Sequence, residues 1–233
     1  MIHFRRSLPV MALLFKVTLL NAEILPLESN SSQSMLEAQI SKKGLIDIQK
    51  VDSTIKVELK YASSSNFMGA SVYGNLRKCY LQRSAADKLA LANSALKKHH
   101  PDLTLLVVDG LRPRHIQKKM YEVVMGTPME NYIANPQWGS MHNYGCAVDV
   151  TICDSYGNHL DMGTPMDYFG VLSEPRQEAR FLKEGKLTSE QVANRKILRK
   201  AMVAAGFIPL AIEWWHFEAF DKETIRATFS IIE

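Results

Sequence analysis

The chain has little that would staple it or carry it across a membrane. Its 233 residues include only three cysteines, Cys79, Cys146 and Cys153. An odd count leaves at least one thiol unpaired, and none of the spacings is that of a zinc ribbon. Cys146 and Cys153 lie an odd number of positions apart, so a regular strand carries them on opposite faces and disfavours a bond between them. All three are expected to be small buried apolar residues. No apolar run reaches the length of a confident transmembrane helix, and there is no repeat, heptad pattern or low-complexity tract. Charge of one sign is also scarce. The formal net charge is +4, and apart from short clusters such as Lys97-Lys98-His99-His100 the basic residues are dispersed. That argues against a nucleic-acid partner, which needs a basic stripe.

What remains is the composition of an ordinary globular protein, 46% apolar and 22% charged, long enough to bury a core without disulfides. The N-terminus differs from the rest. Arg5 and Arg6 precede a mostly apolar stretch from Leu8 to Leu20, interrupted by Lys16, and Asn21-Ala22-Glu23 follows. This resembles a secretory signal peptide with Ala22 before the cleavage point. The expectation is a signal peptide over residues 1–22, a loose leader over 23–43 and a folded domain over 44–233. The protein is then periplasmic or extracellular with no stable membrane span after processing, or cytoplasmic if the segment is retained.

Within the folded part, Leu45 to Leu59 reads as one or two strands and Tyr61 to Asn75 as a loop. Leu81, Ala85, Leu89, Ala92 and Leu96 recur at helical spacing. Leu103 to Val108 reads as a buried strand, His115 to Val124 as a helix and Ala147 to Ile152 as a strand. Arg176 to Ala205 is mainly helical with a break near Gly185; Thr188-Ser189-Glu190-Gln191 offers a helix start and Gly206 a cap. Phe207 to Phe217 is apolar and aromatic and is expected to return to the sheet. Strands and helices mix without a βαβ rhythm, which favours an α+β fold.

Four residues carry the chemistry. His142 and Asp149 lie in Ser140-Met141-His142-Asn143-Tyr144-Gly145-Cys146-Ala147-Val148-Asp149, and Glu213 and His216 in Glu213-Trp214-Trp215-His216. Two imidazoles and a carboxylate form the incomplete shell of a catalytic zinc, which keeps a position for water. A further carboxylate can take that water's proton. Read alone, His142 and Asp149 are better taken as a surface histidine and a strand-end aspartate than as ligands, and the two tryptophans suggest core packing. Glu213 and His216 are three positions apart, so a regular strand sends them to opposite faces; a bulge, a twist or a strand end is required.

Taken in order, these segments resemble the zinc D-alanyl-D-alanine dipeptidases, the VanX-like enzymes, within the wider group of zinc D-Ala-D-Ala peptidases. Lys60-Tyr61-Ala62 with Asn66-Phe67, Asp109-Gly110-Leu111-Arg112-Pro113, and Asp161-Met162-Gly163-Thr164-Pro165-Met166-Asp167 extend the resemblance. It implies a single α+β domain with a central, largely antiparallel sheet flanked by helices. It also implies one zinc per chain held by His142, Asp149 and His216, with Glu213 as general base and Arg112 stabilising the oxyanion. Arg114 is the nearby competitor for that last role. Asp167 with Tyr61 would bind the ammonium of a short substrate, and Ser140 would hydrogen-bond its other end. Leu111 stands where an aromatic is common, and Cys146 replaces a usual small residue. The implied reaction is hydrolysis of D-Ala-D-Ala to two D-alanines, for D-alanine salvage if exported or as in glycopeptide resistance if not. Two alternatives accompany it. One is a D,D-carboxypeptidase or L,D-endopeptidase acting on longer peptidoglycan peptides. The other is a non-catalytic zinc-stabilised peptidoglycan-binding module, since the family's fold resembles that of hedgehog signalling domains.

Overall fold

A computed structural model describes residues 37–233; the segment read as a signal peptide lies outside the described residues. Residues 37–42, at the end of the stretch read as a leader, are helical (α1), and Ile40 is buried in the main core. Two short strands, β1 (Leu45–Asp47) and β3 (Tyr80–Gln82), pair antiparallel with each other. The central sheet has five strands in the order β2 (Lys56–Val57), β4 (Leu103–Asp109), β5 (Ala147–Asp154), β7 (His216–Glu218) and β6 (Ile208–Pro209). Only the β2–β4 pair is parallel, so the fold is the expected α+β arrangement with a largely antiparallel sheet.

Alternation along the two long strands separates the faces of the sheet. Leu105 and Val107 of β4, with Val148, Val150 and Ile152 of β5, join the main core. Against them pack Leu89, Ala92 and Leu96 of helix α2 (Arg83–His99) and Leu198, Ala201 and Met202 of α5 (Ser189–Ala204). The helix-facing half of each strand is thus apolar, and its other half is free to carry polar groups. Helix α5 starts where the sequence suggests: Thr188 accepts from the Gln191 amide while the Gln191 side chain accepts from the Thr188 backbone N–H. The remaining helices are α3 (Arg114–Val124), α4 (Glu178–Lys183) and α6 (Lys222–Thr228). All three cysteines are free and buried. Among the described residues no helix is long and apolar enough to cross a membrane.

Candidate metal centre

The polar face of the sheet carries a row of three residues on neighbouring strands. Asp149 of β5 stands opposite His216 of β7 on one side and opposite Asp109 of β4 on the other. The β4–β5 register shifts between Val107 and Asp109. That bulge turns Asp109 onto the same face as Asp149, where an unbroken strand would have sent it toward the helices.

His142 reaches the row from a short 3-10 turn, Met141–Tyr144. Ser140 caps the turn, with Ser140 and Asn143 bonded reciprocally to each other's backbone. Gly145 ends it at φ +68, a left-handed conformation closed in by Leu45 and the Gln82 amide; a side chain there is both strained and crowded. Asn143 Nδ2 donates to the Arg112 carbonyl at 2.7 Å, and the Arg112 amide donates to the His142 carbonyl at 3.1 Å. The segments bearing His142 and Arg112 are therefore one rigid corner.

His142 Nε2 lies 3.2 Å from His216 Nδ1 and 3.3 Å from Asp149 Oδ1, and His216 Nδ1 lies 3.1 Å from the same oxygen. A tetrahedral ion with ligand distances of about 2.0–2.1 Å keeps its donors about 3.3 Å apart. The triangle fits such an ion, and all three side chains are buried. His142 Nδ1 is 2.8 Å from the Gly110 carbonyl. A carbonyl only accepts, so Nδ1 carries the proton and Nε2 presents its lone pair to the centre of the triangle. On the other ring, His216 Nε2 lies 3.8 Å from Glu218 Oε1.

The strand-face problem at Glu213 is resolved by a strand end. His216 is the first residue of β7, and Glu213 sits just before the two-residue turn that leads into it. Its Oε2 is 4.0 Å from His216 Nδ1. Burial raises the Glu213 carboxyl to about 7, with His216 opposing and Asp149 and Asp167 reinforcing the shift. Trp214 and Trp215 are buried and meet edge to face, with Trp214 Nε1 donating to Thr164 Oγ1 at 2.8 Å, so packing is their first role. Phe217 is likewise in the core.

Arg112 is buried and clamped. Its Nε and one terminal nitrogen donate to Asp109 Oδ2, and the other terminal nitrogen donates to Gln117 Oε1 at 2.9 Å. Tyr73 OH in turn donates to Asp109 Oδ1 at 2.5 Å. A guanidinium has five N–H donors. One hydrogen on each terminal nitrogen is left without a hydrogen-bond partner, one of these nitrogens standing 3.6 Å from Asp149 Oδ2, and Arg112 lines the cavity. Arg114 instead points outward and pairs with Glu233 at the surface.

Asp167 lines the same cavity from the loop that α5 holds in place. Gln191 donates to Asp161, and the buried Arg195 donates to the carbonyls of Met162 and Leu172. Asp167 is the one non-glycine with positive φ among the described residues, at 61°. Tyr61 OH donates to its Oδ1 at 3.0 Å. Its Oδ2 is buried without a hydrogen bond, the Lys60 ammonium standing off at 3.9 Å. Burial raises this carboxyl to about 6, against the pull of Lys60.

All eight residues singled out in the sequence (Tyr61, Arg112, Ser140, His142, Asp149, Asp167, Glu213 and His216) line one cavity of about 340 Å³. Sequence reasoning assigned no role to Asp109, Tyr73 and Gln117, which fix Arg112, or to Glu218. The Asp-Gly-x-Arg-Pro motif contained Asp109; nothing marked the other three.

A mixed α+β domain that sets two imidazoles and a carboxylate at metal-donor spacing, with a buried glutamate alongside, is that of a metal-dependent hydrolase. Residues 41–232 match the family described as D-ala-D-ala dipeptidase. A D-alanyl-D-alanine dipeptidase of Escherichia coli K12 is 31% identical over 75% of this chain and 83% of its own length. One from Enterococcus faecium is 25% identical over 77% and 93%, and one from Synechocystis 26% identical over 68% and 74%. The chain belongs to the D-Ala-D-Ala dipeptidase family of zinc metallopeptidases.

Proposed function

We propose that this protein hydrolyses D-alanyl-D-alanine to two D-alanines, with zinc held by His142, Asp149 and His216. The observation that carries the substrate assignment is the buried, unsatisfied Oδ2 of Asp167 in the cavity that also holds the donor triangle. A buried carboxylate oxygen without a donor is costly unless a ligand supplies one. A free ammonium supplies both the donor and the charge, and Tyr61 holds the carboxylate in place for it. A peptide extended on its N-terminal side, as a muropeptide stem is, has no ammonium so close to the bond that is cut.

When bound, zinc acidifies a water and polarises the substrate carbonyl. Glu213 accepts the water's proton at a carboxylate oxygen as the water oxygen bonds to the carbonyl carbon. The two free N–H groups of Arg112 meet the charge that develops on the carbonyl oxygen, in a geometry fixed beforehand by Asp109 and Gln117. As the C–N bond breaks, Glu213 returns the proton to the leaving amine. Ser140, whose oxygen is 3.4 Å from the His142 amide, keeps its hydroxyl hydrogen to donate to the carboxylate end of the substrate.

The purified zinc protein is expected to cleave D-Ala-D-Ala and to leave longer muropeptides intact. Cleavage of the longer peptides alone would replace this reading with a carboxypeptidase or endopeptidase. Asp167 adds a pH test. Its folded pKa is raised to about 6, and only the ionised form attracts an ammonium. KM should therefore rise about tenfold per unit as pH falls below about 6. Asp167→Asn should raise KM at every pH and flatten this limb; an unchanged limb in that variant would remove Asp167 from the substrate site.

We further propose that residues 1–22 direct export, so that the enzyme acts on cell-wall-derived dipeptide outside the cytoplasm. The support is the Arg5-Arg6, apolar, Ala22 pattern. N-terminal sequencing of the protein from periplasmic or extracellular fractions should give a chain starting at or near Glu23. A chain retaining residues 1–22 in the cytosol would place the activity on the internal dipeptide pool.

A further inference from the structure

The dipeptide carries opposite charges at its two ends, and the scissile bond lies between them. A site that grips both ends needs an anion on one side of the metal donors and a cation on the other. Asp167 provides the anion. From it, contacts run along the cavity wall to Tyr61 (3.0 Å), from the Tyr61 ring to Arg112 (5.2 Å), from Arg112 to Asp149 (3.6 Å) and from Asp149 to His216 (3.1 Å). They continue beyond the donors from His216 to Glu218 (3.8 Å) and from Glu218 to Lys222 (3.6 Å). Lys222 and Arg226 line the same cavity. They are four positions apart on α6 and so share one stripe of the helix. The helix is pinned from behind: Ile225 is fully buried with Met141 and Tyr144, which flank His142 in the 3-10 turn. Lys222 is engaged by Glu218, whereas Arg226 makes no hydrogen bond or ion pair among the described residues. Two like charges at this helical spacing repel, and an anion lying against both relieves that repulsion.

We infer that Arg226, with Lys222 beside it, binds the free carboxylate of the substrate and sets the enzyme's preference for a peptide that ends one residue after the cleaved bond. The inference rests on the dipeptidase reading and adds a specificity residue to it. A guanidinium is permanently charged and matches a carboxylate with two parallel N–H groups. Ser140 lines the same cavity and supplies a further donor to that end. Arg226 is exposed, so its replacement leaves the core untouched.

The test compares D-Ala-D-Ala with its C-terminal amide on the zinc-loaded full chain. In Arg226→Ala, KM for the free acid should rise about three- to tenfold with kcat nearly unchanged. KM for the amide should stay the same, so that the preference for the acid collapses, and Arg226→Lys should recover part of it. Equilibrium titration of both ligands into a Glu213→Gln background, with and without the Arg226→Ala change, should show the same loss of discrimination in binding. An active wild type whose acid-to-amide ratio survives Arg226→Ala, in kinetics and in binding, overturns the carboxylate site alone. A wild type inactive on the dipeptide overturns the dipeptidase reading and the carboxylate site with it.

Discussion

Chelation should reduce D-Ala-D-Ala hydrolysis to background, and one equivalent of zinc should restore it. Arg112 cannot replace the ion: it is fixed by Asp109 and Gln117 and offers donors to a developing charge but no acidified water. The donor spacing of 3.1–3.3 Å makes occupancy depend on all three side chains. His216→Ala should therefore lose both bound zinc and activity at zinc concentrations that saturate the wild type. Zinc should also stabilise the fold. At a hundred times its Kd a ligand contributes about 2.7 kcal/mol, which for a domain of this size is a Tm increase of about 5–10 °C. Metal analysis, thermal unfolding and kinetics on one preparation check all three. Full activity after verified removal of the metal would sink the metallopeptidase mechanism; bound zinc with no turnover on any muropeptide would favour the binding-module alternative.

Glu213→Gln should remove turnover while leaving zinc and substrate in place. The change keeps the shape of a buried side chain and deletes only its ability to accept a proton. General-base catalysis contributes about 10²–10⁴-fold, so kcat should fall by about a thousandfold with KM little changed. Glu213 is not among the three donors of the metal triangle, so zinc content should match the wild type. A kcat within tenfold of wild type would reject Glu213 as the base. A large loss of zinc would reassign it as a ligand.

The parts of this fold that were legible in the sequence are those whose partners are nearby or whose pattern is strong. The apolar runs of β4 and β5 announce a buried sheet, and Thr188 with Gln191 announces the start of α5. The stretch from Leu45 to Leu59 was only half legible, because β1 finds its partner β3 far along the chain and β2 is two residues long. The metal donors were legible as residue types. Their convergence was not, since it depends on the register that sets Asp149 opposite His216. Glu213 and His216 could not be placed on one face without knowing that β7 begins at His216. Tyr73 and Gln117 were invisible for a related reason. A tyrosine in a loop and a glutamine on a helix gain a role only when folding brings them to Asp109 and Arg112.

The spacing of the donors along the chain has a consequence for how the fold is fastened. Asp149 and His216 are 67 positions apart, and α4 and α5 lie between them. An ion bound to both is a removable cross-link around that segment, in a chain whose three thiols are all free. A covalent link closing a loop of that length restricts the unfolded chain by about 4 kcal/mol. With zinc as that ion the same restraint would depend on metal supply, so starving the protein of zinc would loosen the enclosed helices as well as silence the site.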